Sequence, residues 1–344
     1  MLTALLMLSA VAQTGMAQPI DACAAPSLCG FDDPEDLADL AGTSWLLVSQ
    51  ASAGEQSGLA ALDTRSDLLI RYTTAELGDT CLAGSRGGGI GIRRDRRGFR
   101  LVRVLHARGA GLAGEDGIET YRVTIERGRP RLKRTGCMRA PQPLFLNDVE
   151  PLPDGGFAAT HMFDPALSRH ARETAFLARR PTGFVVRWSP RTGWRRLPES
   201  EGTFPNGIAA SSDGRWLVFA ETYGRAVSRI SIEGGMRTEV ALEMQPDNVT
   251  ALGGKRFTVA GGTGAPLVST RGCPEMRRPG CGFPALAVTV DFASGGVVPL
   301  AVSGGARTAG FSVGIVKGKW LYLGTAFGDR LTRGPLAETP IILP

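Results

Sequence analysis

The chain is 344 residues long, 43% hydrophobic and only 21% charged, with 46 Gly and 22 Pro supplying about a fifth of its positions. That length and apolar content exclude a disordered chain or a coiled coil, and the density of turn formers disfavours a helix bundle. The formal charge of +6 rests on basic residues that are nearly all arginine, and their clusters, Arg93, Arg94, Arg96 and Arg97 around Asp95 and Arg127, Arg129, Arg131, Lys133 and Arg134, are short, lack interleaved aromatics and predict no nucleic-acid partner.

In chain order the first segment, MLTALLMLSAVAQTGMA at 1–17, is an uncharged apolar run ending with Gly15 and Ala17 at signal-peptidase spacing. No Lys or Arg precedes the run, a departure from the usual pattern, yet the segment predicts a secretion signal. Export to a periplasmic or extracellular location follows, with 18–33 leading into a folded domain over 34–344. The run is too short to span a bilayer, and no later stretch has about 20 consecutive apolar residues. The expected mature protein is soluble, without a transmembrane segment.

Short apolar and β-branched runs then recur between Gly, Asp-Gly and Pro. They are SWLLVSQ at 44–50, DLLIRYT at 67–73, FRLVRVLHA at 99–107, ETYRVTIER at 119–127, GFAATHM at 156–162, GFVVRWS at 183–189, RWLVFAE at 215–221, AVSRISI at 226–232, RFTVAGG at 256–262, LAVTVDF at 286–292, GIVKGKW at 314–320 and WLYLGTAF at 320–327. Strands of this length and spacing predict an all-β chain of antiparallel hairpins. The longest helical candidate, PALSRHARETAFLARRP at 165–181, reads equally as a loop with a helical turn.

Six cysteines fit an oxidising compartment. Six allow fifteen pairings, of which proximity favours Cys23 with Cys29 and Cys273 with Cys281, leaving Cys81 with Cys137; free buried thiols are the alternative. No CxxC or Cys/His cluster points to a cysteine metal site.

Four segments share one pattern of a polar pair, an aliphatic step, a turn and a hydrophobic strand: PEDLADLAGTSWLLVSQ at 34–50, LNDVEPLPDGGFAATHMF at 146–163, PNGIAASSDGRWLVFAET at 205–222 and PDNVTALGGKRFTVAGG at 246–262. A repeat of about 40–55 residues predicts a β-propeller, and about 50 residues per four-stranded antiparallel blade gives six blades. A two-sheet sandwich, the alternative, would not need the same polar pair before each hairpin. In a propeller the equivalent positions converge on the axis, which would gather Glu35, Asp36, Asn147, Asp148, Asn206, Asp247 and Asn248. Singly each reads as a turn residue; together they form a set of hard oxygen donors that suits Ca²⁺.

At these segments the sequence resembles the paraoxonase/arylesterase family, within the wider group of gluconolactonases and strictosidine synthase-like calcium-dependent propellers. PEDL, FLNDV, PNGI and PDNV occur in the family's order, HARGAGLAGEDGIETYRV at 106–123 is similar to its His-containing hairpin, and SVGIVKGKWLYLGTAF at 312–327 to its closing strand pair. The resemblance implies a catalytic Ca²⁺ held by Glu35, Asn147, Asn206, Asp247 and Asn248, and a structural Ca²⁺ held by Asp36, Asp148 and the Ile90 carbonyl. It implies hydrolysis of a small-molecule lactone or aryl ester, Asn147 and Asn206 orienting the carbonyl oxygen and Glu35, Asp247 or His106 handling the proton. His161 matches a pocket-wall histidine and His170 falls in a surface connector. One departure concerns proton transfer: the family's inner histidine is replaced by Gly88 or Gly89, so the His-His dyad is absent and His106 is expected to stand alone, with no partner to relay its proton. A non-catalytic or sugar-lactone-specific calcium propeller is therefore the alternative.

Other motifs carry no chemistry. SRGGGIG around Gly87 lacks a following GK[ST], Ser211 and Ser212 lack a nucleophile elbow, and the NVT sequon at Asn248 is buried if Asn248 faces a metal.

Overall fold

In WLLVSQ the side-chain period of two sends Trp45 and Leu47 to one face and Leu46 and Val48 to the other, and all four are buried. A strand apolar on both faces must be covered on both. Trp45 and Leu47 pack with Ile90, Phe99, Leu101 and Tyr121; Leu46 and Val48 pack with Val313, Ile315, Tyr322 and Leu331. Burying one such side chain is worth about 1.5–3 kcal/mol, so sheets stacked around an axis satisfy this pattern.

The computed structural model describes residues 17–19, 23, 26–50, 56–78, 82, 85–106, 116–141, 143–264, 283–305 and 310–343. Within them six antiparallel sheets form a six-bladed β-propeller. The first strands of the blades are Pro34–Asp39, Arg86–Asp95, Leu146–Pro151, Pro205–Ala210, Gln245–Gly253 and Val313–Lys317. Each touches the next, and the sixth touches the first, so they line the axis. Six interblade clusters fill the joints; the one between the third and fourth blades joins Leu152, Ala158 and Val185 to Ile208, Leu217 and Phe219.

The stretch 18–33 does more than lead into the domain. Ala17–Pro19 pairs with Leu68–Ile70 on the outer edge of the first blade, and Ser27–Cys29 pairs with Arg330–Thr332 to supply the fourth strand of the sixth. The ring is thus closed by joining an early strand to the last blade, and Ile341–Leu343 adds in parallel to the fifth. A disulfide joins Cys23 to Cys29, with Cα atoms 5.8 Å apart. Cys137 is also disulfide-bonded; Cys81, Cys273, Cys281 and the segment 1–16 lie outside the described residues.

Among the described residues two helices interrupt the sheets. Thr74–Leu77 starts with a capping box between Thr73 and Glu76. The helical candidate becomes Arg169–Leu177, capped by Ser168, and it buries Phe176. Among the described residues no helix is long and apolar enough to cross a membrane.

Candidate metal centre

The polar pairs sit where the backbone leaves the ladder. In the first strands, pairing with the second strand breaks register between Pro34 and Asp36, Gly87 and Ile90, Leu146 and Val149, Pro205 and Ile208, and Pro246 and Val249. The sixth inner strand pairs without such a shift. A bulge releases a residue from the ladder and re-aims its side chain. Glu35, Asn147, Asn206, Asp247 and Asn248 all lie within these breaks, so one backbone device repeated around the ring presents them toward the axis.

Hydrogen bonds fix which atoms are left free. Asn206 Nδ2 donates to Thr222 Oγ1 at 3.0 Å, and that hydroxyl donates to the Pro246 carbonyl at 2.8 Å. Asn248 Nδ2 donates to Glu35 Oε1 at 2.8 Å. Ser312 holds the same corner, its Oγ donating to the Glu35 carbonyl at 2.6 Å and its own carbonyl accepting from Asn248 N–H at 2.8 Å. With both amide nitrogens committed, the amide oxygens have nowhere else to turn. Glu35 Oε2, Asn147 Oδ1, Asn206 Oδ1 and Asn248 Oδ1 are all buried without a hydrogen-bond partner.

Asp36 and Asp148 are set differently. Asp36 accepts from Leu37 N–H at 2.8 Å and, across the joint, from Ile90 N–H at 2.7 Å. Asp148 repeats this with Val149 and Ile208, both at 2.7 Å. Each carboxylate ties its own strand to the inner strand of the next blade. Burial, then the charge of Glu35, pushes Asp36 well above the usual carboxylate range. Burial and Asp36 do the same to Asp148, burial and Glu35 to Asp247, and burial raises Glu35.

These residues fit a divalent cation bound through oxygen. Buried orphan acceptors and mutually repelling carboxylates are both relieved by positive charge, and neither is relieved by another acceptor. Among the described residues no group of three or more His, Cys, Asp or Glu is arranged as a metal site. The unpartnered acceptors are three amide oxygens and one carboxylate oxygen, hard donors whose chemistry suits calcium and not zinc.

The histidines separate into distinct roles. His106 is not alone: its Nδ1 lies 3.0 Å from Asp116 Oδ1, so the departure at Gly88 and Gly89 removes a histidine but not every partner. Sequence reasoning passed over Asp116 because Glu-Asp-Gly reads as a turn. The available signal was its place directly across the hairpin from His106. His161 is 4% exposed, accepts from Phe145 N–H at 2.9 Å and lies tilted against Phe184, ring centroids 4.6 Å apart; burial pushes its imidazole down toward the neutral form. It thus ties the Phe145 backbone to the second strand of the third blade. His170 is exposed on the helix Arg169–Leu177.

An aromatic cluster stands beside the polar strand ends. Phe145 lies 5.5 Å from His106 and 5.0 Å from Phe163; Phe163 lies 5.6 Å from Phe204, and Phe176 stacks at 4.6 Å on Tyr223. Phe145 directly precedes the strand that carries Asn147, and Phe204 the strand that carries Asn206, so the cluster adjoins the strands that present the amide oxygens. A cavity of about 120 Å³ beside it is lined by Phe176, Leu177, Arg179, Tyr223, Arg225 and Gln245.

No protein-family model matches the chain, and no curated protein matches it. Among solved structures, a luciferin-regenerating enzyme is similar at 13% identity with a TM-score of 0.55, over 92% of this chain and 96% of its own. A gluconolactonase from Xanthomonas campestris is similar at 18% identity and TM-score 0.52, over 95% and 99%. The major Malassezia sympodialis allergen Mala s 1 is similar at 11% identity and TM-score 0.56, over 88% and 92%. At such identities the likeness is one of architecture, and the chain shares the fold of these structures.

Proposed function

We propose that this propeller is a calcium-dependent hydrolase of lactones or aryl esters. The observation that carries the reading is the set of four buried acceptor oxygens without a donor, on Glu35, Asn147, Asn206 and Asn248, drawn from four different blades. Glu35, Asn147, Asn206, Asp247 and Asn248 hold the catalytic ion; Asp36, Asp148 and the Ile90 carbonyl hold a second, structural one. Calcium bound there supplies Lewis-acid polarisation of the substrate carbonyl as water attacks. Asn147 and Asn206 fix where the carbonyl oxygen sits. His106, or a carboxylate of Glu35 or Asp247, takes the proton from water. The aromatic cluster receives the apolar part of the ester, and the gluconolactonase neighbour makes lactones the first class to assay.

The test is a screen of γ- and δ-lactones, phenyl acetate and a phosphotriester with and without EGTA, alongside elemental analysis. Hydrolysis of a lactone or of phenyl acetate that EGTA stops and calcium restores is expected, with little or no phosphotriester turnover. A calcium-loaded protein inert across the panel would leave the ligand-binding alternative standing. Absence of bound metal would remove the calcium reading itself.

A further inference from the structure

We propose that Asp116 is the positioning residue of this centre, holding His106 in the one tautomer that leaves Nε2 free to accept a proton from water. The proposal rests on the hydrolytic reading above, but its geometry stands separately. His106 ends the strand Gly98–His106, Asp116 begins the strand Asp116–Glu126, and the two are register partners. Asp116 is 1% exposed, whereas the His106 side chain keeps 26%.

Both carboxylate oxygens of Asp116 have a fixed task. Oδ1 faces His106 Nδ1 at 3.0 Å, and Oδ2 accepts from Leu146 N–H at 2.5 Å. A carboxylate only accepts, so Nδ1 carries the proton and Nε2 the lone pair. Leu146 directly precedes Asn147, so the same carboxylate anchors the base and the start of a donor strand. Nε2 occupies the space over Gly88, 2.9 Å from where a Cβ would stand. An Asp-His pair thus fills the place of the missing histidine pair.

In the reaction Nε2 takes a proton from water as the water oxygen bonds to the carbonyl carbon. The bond from that carbon to the leaving oxygen then breaks, and the leaving oxygen takes the proton back from Nε2. Lactone and water become a hydroxy acid, with nothing else consumed.

Asp116→Asn separates this role from scaffolding. Its single acceptor stays with Leu146 N–H, so its amide nitrogen turns to Nδ1 and forces the proton onto Nε2. The equivalent exchange in Ser-His-Asp proteases costs about 10⁴-fold in kcat through the wrong tautomer. With general bases worth about 10²–10⁴-fold, we expect kcat to fall about 100-fold here, with KM and bound calcium unchanged. Imidazole ¹⁵N spectra are simple, since the chain has three histidines. They should show His106 as the Nδ1–H form in the parent protein and the Nε2–H form in Asp116→Asn. In a His106→Gln background the second substitution should cost nothing further in kcat.

Finding the Nε2–H form in the parent protein, or an equal loss from Asp116→Asn with and without His106, would overturn the proposal. If Asp116→Asn fails to fold, the parent spectrum and His106→Gln kinetics still decide: Nε2–H, or an unchanged kcat in His106→Gln, sinks it. A parent protein with the Nδ1–H form but no hydrolysis would instead overturn the reaction, leaving the pairing intact.

Discussion

The inner strands of the second and third blades break register at corresponding points, yet one carries Gly88 and Gly89 there and the other Asn147 and Asp148. A Cβ at Gly89 would stand 2.2 Å from Asp148 Oδ1 and 2.7 Å from the Asp148 Cα. One at Gly88 would stand 2.9 Å from His106 Nε2 and 3.1 Å from the Asn147 carbonyl oxygen. The bare bulge is therefore the space that the polar bulge and the histidine need. Glycine at 88 and 89 reads as a loss when the strand is considered alone, and as accommodation once its neighbour is in place.

Stripping a polar bulge of its content should have the largest effect. Asn206→Ala and Asp247→Ala each remove an oxygen donor, and we expect both to abolish lactone hydrolysis with loss of bound calcium. Losing one electrostatic donor typically costs about 10²–10³-fold, but a lost ligand takes the ion with it. A variant that keeps both calcium ions and more than a tenth of the parent kcat would refute the donor assignment.

Removing the ion while keeping the side chains comes next. A ligand at 100 times its Kd stabilises by about 2.7 kcal/mol, so excess EGTA should lower the melting temperature by several degrees. The loss should also depend on pH. Glu35, Asp36, Asp148 and Asp247 are all held above their ordinary values by burial, so without metal the folded chain binds more protons than the unfolded one in the window between the ordinary carboxyl range and those raised values. Stability of the chelated protein should then fall as pH rises from about 5 to 8, while the calcium-loaded protein stays nearly level. Identical melting curves with and without EGTA across that range would remove the ion from the fold.

The polar pairs were legible because a bulge needs no side-chain contact to recur: the same local pattern, followed by an aliphatic residue and a turn, marks it in four blades. The blades themselves were legible through strand alternation. Ring closure was not, since Ser27–Cys29, which completes the last blade, is a three-residue edge strand, as is Ala17–Pro19 on the first, and three residues carry no period. Asp116 escaped because only the register across a hairpin brings it to His106. Thr222 and Ser312, which orient Asn206 and Glu35, are ordinary hydroxyls until their neighbours from other blades are known.

Filling the bare bulge tests the steric half of the comparison. Gly89→Ala sets a methyl against the carboxylate and backbone of Asp148, which are pinned by Val149 and Ile208 N–H. Overpacking costs about 1–3 kcal/mol, and disturbing hydrogen bonds to a charged group adds about 1.5–3 kcal/mol. We expect urea unfolding to report roughly 3 kcal/mol or more of destabilisation. A cost below about 1 kcal/mol would mean that Asp148 has room to retreat and that Gly89 is not required by its neighbour.

Gly88→Ala should be the mildest in stability and the most informative about the base. Its nearest contact is Nε2 at the end of the His106 side chain, with the Asn147 carbonyl oxygen next and Val104 Cβ at 3.3 Å. An imidazole can swing aside where the anchored Asp148 cannot. Replacing Gly by Ala at a compatible backbone also stabilises by about 0.4–1 kcal/mol through the unfolded chain, offsetting part of the crowding. The net change should stay within about 1 kcal/mol. The displaced ring, however, loses its alignment with Asp116, and Nε2 leaves the space beside Asn147. Hydrolysis should therefore fall at least tenfold while calcium content and melting temperature hold. A Gly88→Ala protein with the parent kcat would show that the position of Nε2 over the bulge is not what the reaction uses, and one as unstable as Gly89→Ala would erase the distinction between the two glycines.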